Sequence, residues 1–265
     1  REIPMTPDAL LNIARLAAKR AGHHAMDNMH RRDEVNAISQ DDVKHVLDVE
    51  CQEVATAAIR EACPGDAIMG EETAGEELPA PEGNEWIIDP IDGTVNFFHG
   101  LPYWCCSVAV RRNGVIQAGV VYAPEMRLLF EATIDSPAYC NGQPIRCSTR
   151  DDPVHALVLT SSDRSHDPAQ ALRYFTALAR FIQRPRVMGA AALDICMVAR
   201  GGADGFFEHS IYLWDVAAAA LILARAGGTS ETLVRHGRYR MSFLASNGTS
   251  LHDELKRCII AARGE

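Results

Sequence analysis

Residues 86–100 have the sequence WIIDPIDGTVNFFHG. The apolar run at 86–88 predicts a buried strand that ends on Asp89, and a second carboxylate, Asp92, follows Pro90. Because an ionised carboxylate is costly to bury, such groups are normally paired, hydrogen-bonded or bound to a metal. The pattern Asp-Pro-x-Asp-Gly alone most often forms a turn. The stretch therefore predicts two carboxylates on one side of a rigid turn, and other parts of the chain must indicate whether they bind a metal.

The composition limits the kind of protein. The chain has 265 residues, of which 47% are hydrophobic and 23% charged, and this predicts a globular protein with one large core or two fused domains. A net charge of −9 argues against a nucleic-acid-binding surface. The apolar runs are shorter than the roughly 18 residues of a membrane span, so we expect no membrane partner. The eight cysteines form no CxxC pair, and we expect reduced thiols in a cytoplasmic protein.

Two kinds of pattern divide the chain near residues 140–150. The first part predicts a helix that starts at Thr6-Pro7, a helix at 43–62, a strand at 67–69, the strand that ends at 89, a helix at 94–99 and a β-meander at 103–132. The second part predicts strands at 156–160, 186–188, 204–207 and 242–246, which alternate with helices at 168–182, 190–200, 214–226 and 250–262. The change predicts an N-terminal α+β lobe at 1–143 and a C-terminal α/β lobe at 144–265.

Two further acids stand at the ends of predicted elements. Glu71 follows a short strand, and Asp215 opens an alanine-rich helix. Each has an ordinary structural interpretation, Glu71 as a solvated loop residue and Asp215 as an acid in a first helical turn. Together with Asp89 and Asp92 they form an all-oxygen set, to which the Ile91 carbonyl can be added. Mg²⁺ and Mn²⁺ prefer such ligands.

The residues after Asp92 add a second signal. Gly93 and Thr94 open the predicted helix at 94–99, and the free backbone N–H groups at a helix start bind phosphate. Carboxylates for metal ions beside N–H groups for phosphate are the parts of a phosphoryl-transfer site. In such a site metal ions activate a water and stabilise the leaving oxygen.

Five segments resemble the inositol monophosphatase family of Mg²⁺-dependent phosphatases. The most specific is WIIDPIDGTVNF at 86–97, and the second signature is WDVAA at 214–218. Weaker elements are GEE at 70–72, MGAA at 188–191 and GGAD at 201–204. They follow one another in the family's order over nearly the whole chain.

The resemblance implies a fold, an assembly and a set of roles. The fold is a layered αβαβα sandwich that combines α+β and α/β parts, usually in a homodimer, with two or three Mg²⁺ per chain that Mn²⁺ can replace and with inhibition by Li⁺. The implied metal ligands are Glu71, Asp89, Ile91, Asp92 and Asp215, the phosphate-binding amides are Gly93 and Thr94, and the water-activating group is Asp48, Glu71 and Thr94. The implied substrate contacts are Asp92, Gly189, Ala191, Glu208 and Asp215, with Ser161 or Ser162 near the same region.

Three departures from the family pattern are visible. The segment 41–48 lacks the threonine usual before Asp48, and 36–40 lacks a basic residue, and both departures bear on the third metal site. Arg225 stands where the family usually has an acid. The resemblance implies no role for this arginine.

The shared metal and phosphate half of the site does not fix the substrate. Within the class of phosphomonoesterases for small polyol or sugar phosphates, inositol monophosphate is the first prediction. Histidinol phosphate, fructose 1,6-bisphosphate and a 3′-phosphonucleotide are alternatives. A rival of another class is a binding protein that retains the fold as the partner of a larger assembly. The intact set of proposed metal ligands favours the enzyme.

Overall fold

The computed structural model describes residues 5–38, 43–73, 83–161 and 167–264. The α-helices in these ranges are α1 (Pro7–Asp27), α2 (Val46–Ala62), α3 (Thr94–His99), α4 (Pro168–Phe181), α5 (Ala191–Ala199), α6 (Leu213–Arg225) and α7 (Leu251–Ala262). Helix α1 starts as predicted, because the Thr6 hydroxyl accepts a hydrogen bond from the Ala9 amide (3.3 Å) and Pro7 lies in the first turn. Within the described ranges, no helix combines the length and apolarity needed to cross a bilayer.

The larger sheet contains seven strands in the order β3-β4-β5-β6-β7-β8-β9. They are β3 (Ala67–Gly70), β4 (Asn84–Asp92), β5 (Cys105–Arg112), β6 (Val115–Ala123), β7 (Leu128–Thr133), β8 (Tyr139–Cys140) and β9 (Gln143–Pro144). β3 and β4 are parallel, and the other neighbours are antiparallel. The β5–β6 hairpin turns at Asn113 and Gly114, whose φ angles of 52° and 80° suit the Asn-Gly turn predicted there.

A two-stranded sheet precedes α2. It pairs β1 (Val35–Ile38) with β2 (Val43–His45) in antiparallel register. The predicted helix at 43–62 therefore starts three residues too early, because residues 43–45 find backbone partners in β1 that a first helical turn would lack. Asp48 still lies in the first turn of α2, as expected. Residues 39–42, which belong to the altered segment before Asp48, lie outside the described residues.

The smaller sheet contains five strands in the order β11-β10-β12-β14-β13. They are β10 (Leu157–Thr160), β11 (Arg184–Arg186), β12 (Gly205–Tyr212), β13 (Thr229–Arg235) and β14 (Arg240–Ser246). β11, β10 and β12 are parallel, and β14 is antiparallel to both β12 and β13. The sequence patterns do not predict β13. This strand lies at the sheet edge and is half-buried along most of its length, so it lacks the alternation of apolar and polar residues that identifies strands.

Helices and sheets alternate in five layers. α1 and α2 pack on one face of the seven-stranded sheet around a core that includes Leu10 and Trp86. α5 and α6 fill the space between the sheets, where the core includes Ile87 of β4 and Phe206 of β12. α4 and α7 cover the outer face of the five-stranded sheet. The predicted αβαβα sandwich is confirmed. The division into lobes at 143/144 stays a prediction, and the middle core takes side chains from both sides of it.

Strand β4 does not end where the sequence predicts. The prediction of a turn after Asp89 is wrong, because β4 continues through Pro90 to Asp92. Asp89 pairs with Ser107 and Asp92 pairs with Cys105, so two residues of β4 lie opposite one residue of β5. Proline has no N–H to donate, and the ladder cannot be regular at this point. The two carboxylates are therefore held by a bulged section of a buried strand and not by a surface turn.

Candidate active site

Four acidic side chains from separate parts of the chain meet at the carboxyl ends of β3 and β4. The parallel pairing of these strands makes Glu71 and Asp89, which follow the last paired residues, neighbours. Asp92 lies at the end of the β4 bulge, and Asp215 lies in the first turn of α6, which packs against β4. Asp89 and Asp92 are buried, whereas Glu71 and Asp215 keep partial contact with solvent.

Burial favours the protonated form of all four acids, and repulsion by neighbouring carboxylates adds to this effect for three of them. Burial, opposed by hydrogen bonds from backbone amides, raises the pKa of Asp92 to about 6, and burial and the charge of Asp92 raise the pKa of Asp215 to about 7. Burial followed by the charges of Asp215 and Asp48 raises the pKa of Glu71 well above its usual range. Burial followed by the charges of Glu71, Asp92 and Asp215 does the same for the pKa of Asp89. A cation in this space would remove the repulsion that contributes to the shifts of Glu71, Asp89 and Asp215.

The donor chemistry fits a hard divalent cation. Asp89 Oδ1 is buried without a hydrogen-bond partner, and an orphan carboxylate oxygen of this kind is what a metal ion would satisfy. Glu71 and Asp215 each contact the Asp89 carboxyl through a hydrogen bond, which requires a proton on one of the two acids. Within the described residues, no group of three or more His, Cys, Asp or Glu side chains surrounds a common point as finished metal ligands do. Glu71 and Asp215 therefore lie close enough to Asp89 to share a proton with it, and a cation held by these acids would satisfy the Asp89 oxygen instead.

Asp92 also holds the start of helix α5, which sequence analysis did not anticipate. Its two carboxylate oxygens accept hydrogen bonds from the amides of Ala191 (2.9 Å) and Ala192 (2.7 Å). The Cys105 thiol donates a third, weaker hydrogen bond (3.4 Å). The first amides of a helix have no intrahelical acceptor, and Asp92 supplies one from 99 residues away in sequence. A local motif cannot predict a cap from such a distance.

Asp215 has the structural role that its position in a first helical turn suggests. Its Oδ2 accepts a hydrogen bond from the Tyr212 amide (2.8 Å) and completes a capping box at the start of α6. A carboxylate has two oxygens and about four acceptor positions, so the cap leaves capacity for a metal ion. The structural and the functional interpretation are therefore compatible for this residue.

The segment after Asp92 turns sharply into helix α3. Gly93 has a φ of 94°, and a Cβ placed there would lie 3.0 Å from the Ala190 Cβ and 3.1 Å from the Gly189 carbonyl oxygen. Both the positive φ and the close contact require glycine. The Thr94 hydroxyl donates a hydrogen bond to the Ile91 carbonyl (3.0 Å), and this links the proposed phosphate and metal groups.

Asp48 lies close to Glu71, as the family resemblance requires. It is buried in the first turn of α2, and its charge contributes to the raised pKa of Glu71. The two carboxylates therefore share one electrostatic environment although they belong to different elements.

The proposed substrate side of the site is fixed by a residue that sequence analysis missed. Asn96 of α3 donates hydrogen bonds to the carbonyl oxygens of Tyr103 and Met188, both at 2.8 Å. This clamp sets the loop that leads to Gly189 (φ 86°) and to half-buried Ala191. The only signal in the sequence was the position of Asn96 within the signature. Ser161 is half-buried after β10, whereas Ser162 lies outside the described residues.

Glu208 is not at a strand end. The prediction of a strand at 204–207 is too short, because β12 continues to Tyr212. The register of β12 against β14 shifts directly after Glu208, and the side chain is half-buried. The neighbouring His209 ring contacts Tyr174 and His236.

The chain is similar to known proteins over most of its length. The sequence pattern of the inositol monophosphatase family matches residues 6–265. The putative Nus factor SuhB of Neisseria meningitidis serogroup A is 38% identical over 223 residues, which cover 82% of this chain and 85% of that protein. Human inositol monophosphatase 1 is 34% identical over 193 residues, which cover 71% of this chain and 70% of that protein. The solved structure of an inositol monophosphatase from Anabaena (Nostoc) superimposes with a TM-score of 0.82 at 31% identity and covers 96% of both chains.

Proposed function

The chain belongs to the inositol monophosphatase family and is a phosphomonoesterase, and we propose that it hydrolyses the phosphate ester of a small polyol or sugar, with inositol monophosphate as its first candidate substrate. The observation that carries the proposal is the group of four acids with raised pKa values beside the start of α3. A stable fold gains nothing from such mutual repulsion, whereas a site for cations requires it.

We propose that the acids bind two divalent cations, Mg²⁺ or Mn²⁺. The ligands in this proposal are Glu71, Asp89, the Ile91 carbonyl, Asp92 and Asp215. When bound, the cations polarise the phosphoryl group and the attacking water and balance the charge that develops on the leaving oxygen. A third ion stays a prediction, because part of the segment 41–48 lies outside the described residues.

The remaining residues orient the reactants. The Thr94 hydroxyl donates its one hydrogen to the Ile91 carbonyl and is therefore left to accept a hydrogen bond from the attacking water. Asp48 and Glu71, which lie close to each other, accept the protons of that water. The amides of Gly93 and Thr94 bind the phosphate oxygens, since the first amides of α3 have no acceptor within the helix.

The substrate hydroxyls would be bound on the side of α5 and β12. Glu208 is a charged acceptor for a hydroxyl, and Gly189 and Ala191 offer backbone groups, with Ser161 nearby. The Ala191 amide already donates to Asp92, so a substrate hydroxyl would have to share or replace this contact. This side of the pocket decides between inositol monophosphate and the alternatives, which are histidinol phosphate, fructose 1,6-bisphosphate and a 3′-phosphonucleotide.

The test is phosphate release from these four substrates and from a simple aryl phosphate, each with Mg²⁺ and with excess chelator. We expect the highest kcat/KM on inositol monophosphate and no release in chelator. A higher kcat/KM on another substrate would replace inositol monophosphate, and undiminished release in chelator would contradict the metal-dependent mechanism.

A second function, as the partner of a larger assembly, is favoured by the 38% identity to the putative Nus factor SuhB. Source cells in which Asp215→Asn replaces the natural protein would separate the two functions. If they keep a function that deletion of the whole chain abolishes, the assembly role is supported. A phenotype equal to deletion would leave the phosphatase as the only function.

The assembly, location and inhibitor sensitivity of the protein are also proposals. We propose a cytoplasmic homodimer that Li⁺ inhibits, as in the family it belongs to. The eight free cysteines support a reducing compartment. Sedimentation of the purified protein tests the dimer, and a Li⁺ titration of phosphate release tests the inhibition.

A further inference from the structure

A buried amide connects helix α2 to the turn that carries Glu71. Gln52 lies one helical turn after Asp48, so both side chains are on the same face of α2. Gln52 is 7% exposed, and its Oε1 accepts a hydrogen bond from the Glu72 amide at 3.0 Å. One face of α2 therefore acts on the turn at Glu71–Glu72 in two ways, through the charge of Asp48, which raises the pKa of Glu71, and through the hydrogen bond of the neutral Gln52.

Glycine at position 70 makes this contact possible. A Cβ on Gly70 would lie 2.0 Å from Oε1 and 2.2 Å from Cδ of Gln52, so the amide lies against the glycine backbone. The Thr73 hydroxyl accepts from the Gly70 amide (3.3 Å) and donates to the Gly70 carbonyl (3.2 Å), which closes the turn from the other side. The GEE element thus has a packing requirement at its glycine that is separate from the chemistry of its acids.

We propose that Gln52 is a positioning residue that holds the Glu71 carboxylate at a fixed place relative to Asp48. The inference rests on the proposed function, because these two acids are its metal ligand and water-activating groups. A glutamine suits the task, since it accepts the Glu72 hydrogen bond without a further negative charge beside four carboxylates. Without the hydrogen bond from the Glu72 amide to Gln52, the turn that carries Glu71 would still follow β3 but would no longer be held against α2.

The test measures Mn²⁺ binding to chelator-stripped protein by calorimetry, which does not depend on turnover. Gln52→Leu keeps the size of the side chain and removes the acceptor. We expect its Mn²⁺ dissociation constant to rise about tenfold, as for the loss of one hydrogen bond. Gln52→Glu keeps an acceptor of the same length and adds a negative charge that attracts cations, so its dissociation constant should be no more than about threefold above that of the natural protein. Unchanged binding in Gln52→Leu overturns the proposal, and so does a loss that Gln52→Glu fails to repair.

Gln170 provides a matched control. It is also a buried glutamine, on α4, and donates a hydrogen bond to the Ala262 carbonyl (3.2 Å) far from the acids. Gln170→Leu should lower the unfolding temperature about as much as Gln52→Leu does and leave Mn²⁺ binding unchanged. Equal losses of Mn²⁺ binding in both variants would show a general effect of destabilisation and overturn the proposal.

Gly70→Ala tests the same contact without a change at Gln52, and it serves if Gln52→Leu does not fold. The new methyl group must displace the amide, so Mn²⁺ binding should again weaken about tenfold. Gln52→Ala removes the anchor and makes room for that methyl, so the double variant should bind no more weakly than Gln52→Ala alone. Additive losses would assign Gly70 a separate role and overturn the proposal.

If Mn²⁺ binding follows these expectations while no phosphate ester is hydrolysed, the proposed function fails and the positioning role stands.

Discussion

Two buried acids of this protein have opposite environments. Asp204, which is fully buried, receives two hydrogen bonds from Arg150 (2.8 and 2.9 Å), one from the Ser148 hydroxyl (2.6 Å) and one from the Leu157 amide (2.8 Å). Asp89 is 2% exposed, has an oxygen with no partner and is surrounded by other acids. The chain itself neutralises the first carboxylate, whereas the second requires a proton or a cation from outside. A buried acid that the fold leaves unsatisfied is a sign of function, and a satisfied one is a sign of structure.

The largest expected difference between the two regions is their response to metal removal. Excess chelator should lower phosphate release to below about one per cent, and Mg²⁺ should restore it, because the charge of the acid cluster is then unbalanced. The Asp204 region should not change, and the backbone circular dichroism should be the same with and without chelator. Activity that survives in chelator would mean that the four acids, like Asp204, have a structural role and not a role in binding a metal ion.

Substitution of one acid in each region should give opposite phenotypes. Asp215→Asn should reduce turnover about a hundredfold or more, while the metal-free protein keeps its fold, since one carboxylate repulsion is removed. Asp204→Asn should keep the turnover of folded molecules and lower the free energy of unfolding by about 2–3 kcal/mol, a value reduced for the 47% exposure of Arg150. Initial rates at limiting Mg²⁺ and urea unfolding of both variants provide the comparison. A stability loss in Asp215→Asn that exceeds the one in Asp204→Asn would reverse the assignment.

The sequence predicts the acid cluster but not its geometry. Glu71, Asp89, Asp92 and Asp215 stand at ends of predictable elements, and the resemblance collects them in one site. Neither local propensity nor spacing predicts that Asp92 caps α5, because the partners meet only in the folded chain. The same holds for the β4 bulge, which depends on pairing with β5.

Arg225, for which the sequence suggested no role, has a structural explanation. Its Nε donates a hydrogen bond to the Ser136 carbonyl (2.5 Å), and its charge lies in the last turn of α6, where it favours the helix dipole. Contacts of this type between distant segments are the part of the fold that pattern analysis cannot supply. Strands such as β13, in which apolar and polar residues do not alternate clearly, are also missed by pattern analysis.

A smaller effect is expected at Glu208, which lies in β12, between Asp204 and Asp215 in the sequence. Glu208→Gln should lower kcat/KM for a hydroxyl-rich phosphate by about ten- to a hundredfold, because a hydrogen bond to a charged acceptor contributes about 1.5–3 kcal/mol. An aryl phosphate without hydroxyls should be hydrolysed nearly as before, since the metal and phosphate groups are unchanged. Equal losses on both substrates would assign Glu208 to the fold, as with Asp204, and no loss would remove it from the pocket.

The smallest expected effect is the pH dependence of stability in the metal-free protein. The folded state holds protons on Asp92 and Asp215 at pKa values of about 6 and 7, whereas the unfolded chain has its usual carboxyl pKa near 4. The stabilisation that protonation gives is therefore complete below pH 4 and is lost as the pH rises through 6 and 7. From pH 4 to about pH 6 the free energy of unfolding should fall by up to about 1.4 kcal/mol per pH unit for each of these two groups, and above pH 7 their slope should disappear. Urea unfolding in chelator measures this slope.

Asp215→Asn should reduce the slope, and Asp204→Asn should keep it. Saturating Mg²⁺ should remove the slope, because the cation replaces the protons that hold the acids together. A slope that Mg²⁺ does not change would mean that the four acids bind no cation and that their repulsion belongs to the fold.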